Sequence, residues 1–137
     1  MNEAGYIRSI HRVLPSTVYK WKINDRFMTG IPDCWYSGSS GDLWIEYKYL
    51  KTAPKKCTPG LSENQKKWLR ERYHEGRNVA VVVGTLNGAV LFRDLTWETQ
   101  QPINNTMTTR ELAAWILSQT GENTNGAGPD VCLYAVP

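Results

Sequence analysis

Hydrophobic residues recur every three or four positions in three segments of the chain, the spacing of one face of an α-helix. The segments cover residues 2–14, 61–75 and 108–118. Pro15 ends the first segment, and Ser62 is a suitable N-cap for the second. The pattern therefore predicts three amphipathic helices.

Between these segments the pattern changes to alternation or to short apolar runs, which indicates β-strands. The run NVAVVVG is almost continuously apolar, so it predicts a central strand that is buried on both faces. The predicted strands cover residues 17–23, 33–36, 43–49, 78–84 and 89–95, with a short last strand over 131–136. Strands and helices in this order predict an α/β fold with a mixed central β-sheet and flanking helices.

Length and composition favour one globular domain over residues 1–137. Hydrophobic residues make up 41% of the chain, yet no apolar run approaches the roughly 20 residues that span a membrane. No apolar segment of a signal peptide follows Met1. Cys34, Cys57 and Cys132 are widely spaced, which predicts neither a zinc site nor a disulfide framework. We therefore expect a protein of a reducing compartment, the cytoplasm, with no membrane partner.

The net charge of +3 is mild, but the cations are clustered along the sequence. The basic loop KTAPKKCTPG directly follows the third predicted strand, and contact with phosphate groups is the favoured role of its Lys51, Lys55 and Lys56. An exposed loop without a ligand is the alternative. Lys20 and Lys22 on the first strand either contact phosphate or are simply solvated, and the sequence does not distinguish these roles.

Charged residues interrupt the third predicted strand, where a fold alone would favour apolar ones. Glu46 and Lys48 share one face, about 6.6 Å apart along the strand. Asp33 begins the preceding strand, which would lie about 4.8 Å away if the two strands pair. Two carboxylates at that separation can hold one Mg²⁺ ion, and the backbone carbonyl of Tyr47 could add a ligand.

A metal ion at this position suggests hydrolysis of a phosphodiester. It would activate water and stabilise negative charge on a phosphate. Lys48 would orient the water or neutralise charge in the transition state.

The order of these residues resembles a known nuclease signature. Pro32-Asp33 followed by Glu46-X-Lys48 is similar to the PD-(D/E)xK motif. Glu3 on an N-terminal helix and Gln65 in a helix before a Gly and an apolar strand extend the resemblance to the VRR-NUC and Holliday junction resolvase-like group. The Val-Arg-Arg motif that names the VRR-NUC group is absent, which leaves the subgroup open.

The resemblance implies a restriction-endonuclease-like core over about residues 3–92, with 93–137 as an extension of unassigned role. It implies a Mg²⁺- or Mn²⁺-dependent deoxyribonuclease acting on branched DNA, such as a Holliday junction or a flap. Small members of this kind occur in phages and would act in the host cytoplasm. A homodimer is expected, because symmetric cutting of a junction requires two active sites.

Within this resemblance Asp33 and Glu46 bind the metal, Lys48 positions water, Glu3 completes the metal site and Gln65 supports it. Each residue also has a structural alternative. Asp33 could be a turn residue, and Glu46 with Lys48 could form a solvated ion pair. Glu3 is favoured in a first helical turn by the helix dipole, and Gln65 could make a buried hydrogen bond to backbone.

Two other functions remain open at this level. One is a catalytically silent protein of the same fold that binds nucleic acid or a host protein. The other is an exonuclease or general DNase. Metal titration tests the first alternative, and cleavage of linear against branched DNA tests the second.

Overall fold

The computed structural model describes residues 1–24, 29–52 and 54–121. The helices are α1 (Glu3–Val13), α2 (Glu63–His74) and α3 (Thr109–Thr120), with a short 3₁₀ helix at Thr96–Glu98. The strands are β1 (Tyr19–Lys22), β2 (Cys34–Gly38), β3 (Gly41–Tyr49), β4 (Lys56–Cys57), β5 (Val79–Thr85), β6 (Gly88–Phe92) and β7 (Gln101–Pro102). The predicted last strand at 131–136 lies outside the described residues.

Five strands form one mixed sheet in the order β1-β2-β3-β5-β6. The β3–β5 pair is parallel, and α2 lies in the connection between its two strands, whereas the other pairs are antiparallel. The predicted α/β fold with a mixed sheet and flanking helices is thereby confirmed. Every residue of β5 is buried, as its apolar run predicts, although β3 rather than β5 occupies the middle of the sheet.

The two faces of the sheet carry separate clusters of buried residues. Leu43, Ile45 and Tyr47 of β3 belong to the cluster that includes the apolar residues of α1 and α3. Trp44 packs against the other cluster, which includes Leu69 of α2. The predicted alternation of β3 is therefore confirmed, and Glu46 and Lys48 fall on the face covered by α2.

The segment after β6 contributes to both layers of the fold. Leu112, Ala113 and Ile116 of α3 are buried in the same cluster as α1, so α3 completes the cover of one sheet face. Strand β7 pairs with β4, and the Ile103 N–H donates to the Lys55 carbonyl at 2.9 Å. The segment KTAPKKCTPG, predicted as a loop, thus contains a two-residue strand.

Side-chain caps fix the starts of all three helices. The Asn2 side chain accepts from the Gly5 N–H at 2.8 Å, and Thr108 forms a capping box with Glu111. Ser62 caps α2 as predicted, in a capping box with Gln65. None of the helices within the described ranges is long and apolar enough to cross a bilayer.

Candidate metal centre at the end of strands β2 and β3

Antiparallel pairing of β2 with β3 brings the two central carboxylates of the sequence together. Cys34 pairs with Ile45, so Asp33 and Glu46 occupy the neighbouring positions just beyond that pair. The Asp33 Oδ2 accepts a hydrogen bond from the Tyr47 N–H at 2.9 Å. This bond holds the Asp33 carboxylate beside β3.

Glu46 is buried, with 2% of its surface exposed. Its Oε2 accepts a hydrogen bond from Gln65 Nε2 at 2.8 Å and lies 3.3 Å from Lys48 Nζ. Its Oε1 is buried without a hydrogen-bond partner among the described residues. Burial, followed by the negative charge of Asp33, raises the pKa of Glu46 to about 8.

Gln65 connects the start of α2 to both charged residues of β3. Its Oε1 accepts from the Ser62 N–H at 2.9 Å, which is one half of the capping box, and from Lys48 Nζ at 3.3 Å. Its Nε2 donates to Glu46. Gln65 therefore makes a hydrogen bond to backbone, the predicted structural alternative, and also contacts Glu46 and Lys48.

Glu3 lies in the first turn of α1, close enough to the centre to share its electrostatics. Partial burial and then the charge of Asp33 raise the pKa of Glu3, while Lys48 and Lys22 lower it. Within the described ranges, no direct hydrogen bond or ion pair joins Glu3 to the other residues of the centre, which are Asp33, Glu46, Lys48 and Gln65.

The donor set fits a hard divalent cation. The Tyr47 N–H points at Asp33, and because the N–H and C=O of a strand residue face the same side, its carbonyl also faces that side. Mg²⁺ needs only one or two carboxylates and keeps several waters. The unpartnered Glu46 Oε1 has lone pairs that such an ion would satisfy.

The centre has fewer ligating side chains than a zinc site needs. No group of three or more His, Cys, Asp and Glu side chains in the described part of the chain is arranged to hold an ion. Structural zinc sites need four such ligands, and catalytic ones typically three. Asp33 and Glu46 are two carboxylates, so a cation bound here would also need backbone and water ligands.

The five lysines singled out in the sequence lie in three places. Lys22 is exposed and near Glu3, whose pKa it lowers. Lys20 is half-buried, and its Nζ donates to the Val18 carbonyl at 3.4 Å. Lys51, Lys55 and Lys56 are exposed on the segment after β3, which places cations beyond the end of the strand that carries Glu46.

A buried polar network behind the centre was not predicted. Tyr36 and Tyr47 share a hydrogen bond of 2.6 Å, and His11 Nε2 lies 2.9 Å from the Tyr36 hydroxyl. Burial, followed by the charges of Lys20 and Lys22, lowers the pKa of His11 to about 4. Tyr47 also donates its backbone N–H to Asp33, so this network supports the strand that carries the centre.

Comparison with protein-family models yields no match for this chain, and no curated protein matches it.

Proposed function

We propose that the protein is a metal-dependent DNA endonuclease of the PD-(D/E)xK type. The observation that carries the proposal is the Glu46 carboxylate, which is buried beside Asp33 with one oxygen unpartnered. Gln65 and Lys48 satisfy the Oε2 of Glu46, but its Oε1 is buried without a hydrogen bond in the described part of the chain, and a buried unsatisfied oxygen is costly. A divalent cation, Mg²⁺ or Mn²⁺, would supply that partner.

Each residue of the centre would have its own task. Asp33, Glu46 and the Tyr47 carbonyl would hold the ion, and Glu3 would complete its shell through water. When bound, the ion activates water and stabilises negative charge on a phosphate. Lys48, whose side chain is 23% exposed, has its ammonium group at the centre and reachable by a substrate. Its cationic group would orient the attacking water or stabilise charge that develops on the phosphate.

Gln65 would act as a positioning residue. It holds Glu46 and Lys48 through hydrogen bonds of 2.8 and 3.3 Å, while the capping box fixes its own side chain. Both charged groups therefore lie in set positions before a substrate arrives. This preorganisation is the means by which an electrostatic site lowers a reaction barrier.

The substrate we propose is DNA with a branch, such as a flap or a four-way junction, and the acting species is a homodimer. The exposed lysines after β3 provide charge for phosphate contacts beside the centre. Branch preference and dimerisation follow from the resemblance of Glu3, Asp33, Glu46, Lys48 and Gln65 to the resolvase-like group.

The test is cleavage of labelled linear, flapped and four-way DNA in Mg²⁺ or Mn²⁺. Asp33→Asn is the matched control, because the amide oxygen can still accept the Tyr47 N–H while the negative charge is lost. We expect metal-dependent cutting of branched DNA that this variant lacks. Binding without cutting on every DNA would instead support the catalytically silent alternative. Cutting of linear DNA equal to branched DNA would support the general DNase.

A further inference from the structure

Aromatic side chains form a continuous row across one face of the sheet. Trp21 of β1 pairs in register with Trp35 of β2, which pairs in turn with Trp44 of β3. Their ring centroids are 6.4 and 6.0 Å apart, and Tyr19 lies 5.5 Å from Trp35. Trp68 of α2 extends the row, 5.3 Å from Trp44. We call Tyr19, Trp21 and Trp35 the aromatic shelf.

The shelf lies on the same face of the sheet as the candidate metal centre. Trp44 contacts Trp68 of α2, the helix whose Gln65 bonds to Glu46. Trp35 follows Asp33 by two residues, so the two positions are about 6.6 Å apart along the strand. A flat group that packs on the shelf would therefore lie next to the carboxylates.

The outer part of the shelf is open to solvent. Tyr19 is 59% and Trp21 51% exposed, and both lie on β1 at the edge of the sheet. Trp35 is half-buried, and its indole N–H is buried without an acceptor in the described part of the chain. Neighbouring exposed aromatics on one face are typical of a binding surface rather than of a core.

The charge around the shelf indicates which ligand it takes. Strand β1 alternates Tyr19 and Trp21 with Lys20 and Lys22, and it contains no acidic residue. The side chains of Lys20 and Lys22 point toward the other face of β1, so the rings themselves would contact the bases, and the exposed Lys22 adds positive charge at the open edge of the sheet. Lysines on an edge strand also disfavour pairing with the edge of a second copy of this chain. Aromatic platforms bordered by cations are typical of sites for single-stranded nucleic acid.

We propose that the aromatic shelf stacks the bases of an unpaired DNA strand and guides that strand into the metal centre. The inference rests on the proposed nuclease function, which it deepens by naming the substrate class as DNA with a single-stranded segment. Stacking does not require particular bases, since every base has a flat face. The shelf would thus select an unpaired strand without reading its sequence.

The test is fluorescence anisotropy with a labelled oligo(dT) strand and a duplex of the same length, in EDTA so that no cleavage occurs. The variants are Tyr19→Ala with Trp21→Ala, and Tyr19→Phe with Trp21→Phe as the matched control that keeps flat rings. We expect the alanine pair to weaken oligo(dT) binding about tenfold or more, and the phenylalanine pair to bind like wild type. Circular dichroism and urea unfolding check that both variants fold.

Three results would overturn the shelf proposal. The first is equal oligo(dT) affinity in wild type and the alanine pair. The second is the same loss for oligo(dT) and duplex, which would indicate a general effect on binding. The third is dissociation of a wild-type dimer into monomers in the alanine pair, seen by sedimentation, which would assign the surface to a second copy.

These outcomes are distinct from failure of the nuclease proposal. If the protein binds oligo(dT) through the shelf but never cleaves DNA, the shelf proposal stands and the nuclease proposal fails. If the alanine pair cleaves DNA as fast as wild type and binds oligo(dT) equally well, the nuclease proposal stands and the shelf proposal fails.

Discussion

Gln65 donates a hydrogen bond from Nε2 to the Oε2 of Glu46 at 2.8 Å. The same side chain closes the capping box of α2 by accepting the Ser62 N–H. One residue thus fixes both the start of a helix and a buried carboxylate on the neighbouring strand. The position of Glu46 therefore depends on how α2 begins.

This arrangement predicts that two changes in one cap have different consequences. Ser62→Ala removes one hydrogen bond of the capping box and should cost about 1 kcal/mol of unfolding free energy. Gln65→Ala should cost a similar amount and also slow DNA cleavage about tenfold or more, because Glu46 and Lys48 lose their shared partner. Urea unfolding and cleavage rates measure the two effects. Equal cleavage by both variants would show that Gln65 acts only as a cap.

The raised pKa of Glu46 predicts a pH dependence of stability. Between pH 4.5 and about 8 the folded state holds a proton on Glu46 that the unfolded state has released. The free energy of unfolding should therefore fall as pH rises through this window, by up to about 1.4 kcal/mol for each pH unit. Glu46→Gln should remove this loss and be more stable than wild type near pH 8. Urea unfolding in EDTA from pH 5 to 8.5 is the measurement, and parallel curves for the two proteins would contradict it.

Metal binding should reverse that loss. An ion on Glu46 requires the carboxylate form, so it competes with the proton and stabilises the folded state by mass action. Millimolar Mn²⁺ should raise the thermal midpoint of the wild type more at pH 8 than at pH 6. Glu46→Gln should show a much smaller rise at either pH. A shift that Glu46→Gln retains in full would place the ion elsewhere.

His11 predicts an opposite dependence at lower pH. Its pKa is lowered to about 4 in the folded state, against 6.5 for the free group, so the unfolded state gains the proton first as pH falls. Stability should drop between pH 6.5 and about 4, by up to about 1.4 kcal/mol for each pH unit. His11→Gln does not titrate there, so its stability relative to wild type should improve steadily on acidification. Urea unfolding of both proteins at pH 7, 6 and 5 measures this, and a constant difference would refute it.

Much of this fold could be predicted because its elements carry strong periodic signals. The pleat of a strand has a period of two, so the sequence of β3 was enough to assign Leu43, Ile45 and Tyr47 to one face and Glu46 and Lys48 to the other. The apolar run of β5 and the cap at Ser62 are equally local signals. The closeness of Asp33 and Glu46 follows from the antiparallel pairing of β2 with β3.

The features that were not predicted depend on contacts between distant residues. Strands β4 and β7 have two residues each, too few to show any period, and they are more than forty positions apart. The bonds of His11 to Tyr36 and of Tyr36 to Tyr47 arise only after α1 packs on the sheet. The exposure of Trp21 could not be read from its alternation, since the pattern is the same for a strand in the middle of a sheet and for one at its edge.

The central claim is that the Asp33–Glu46 centre hydrolyses DNA with the help of a divalent cation. The most direct test is the rate at which wild type and Glu46→Gln, purified in parallel, cut one labelled flapped DNA in Mg²⁺, with EDTA as the blank. We predict cutting by wild type that EDTA abolishes, and a loss of at least about a hundredfold in Glu46→Gln, which stays folded. Cutting at the same rate by both proteins, or none by a wild type that binds the DNA, would contradict the account.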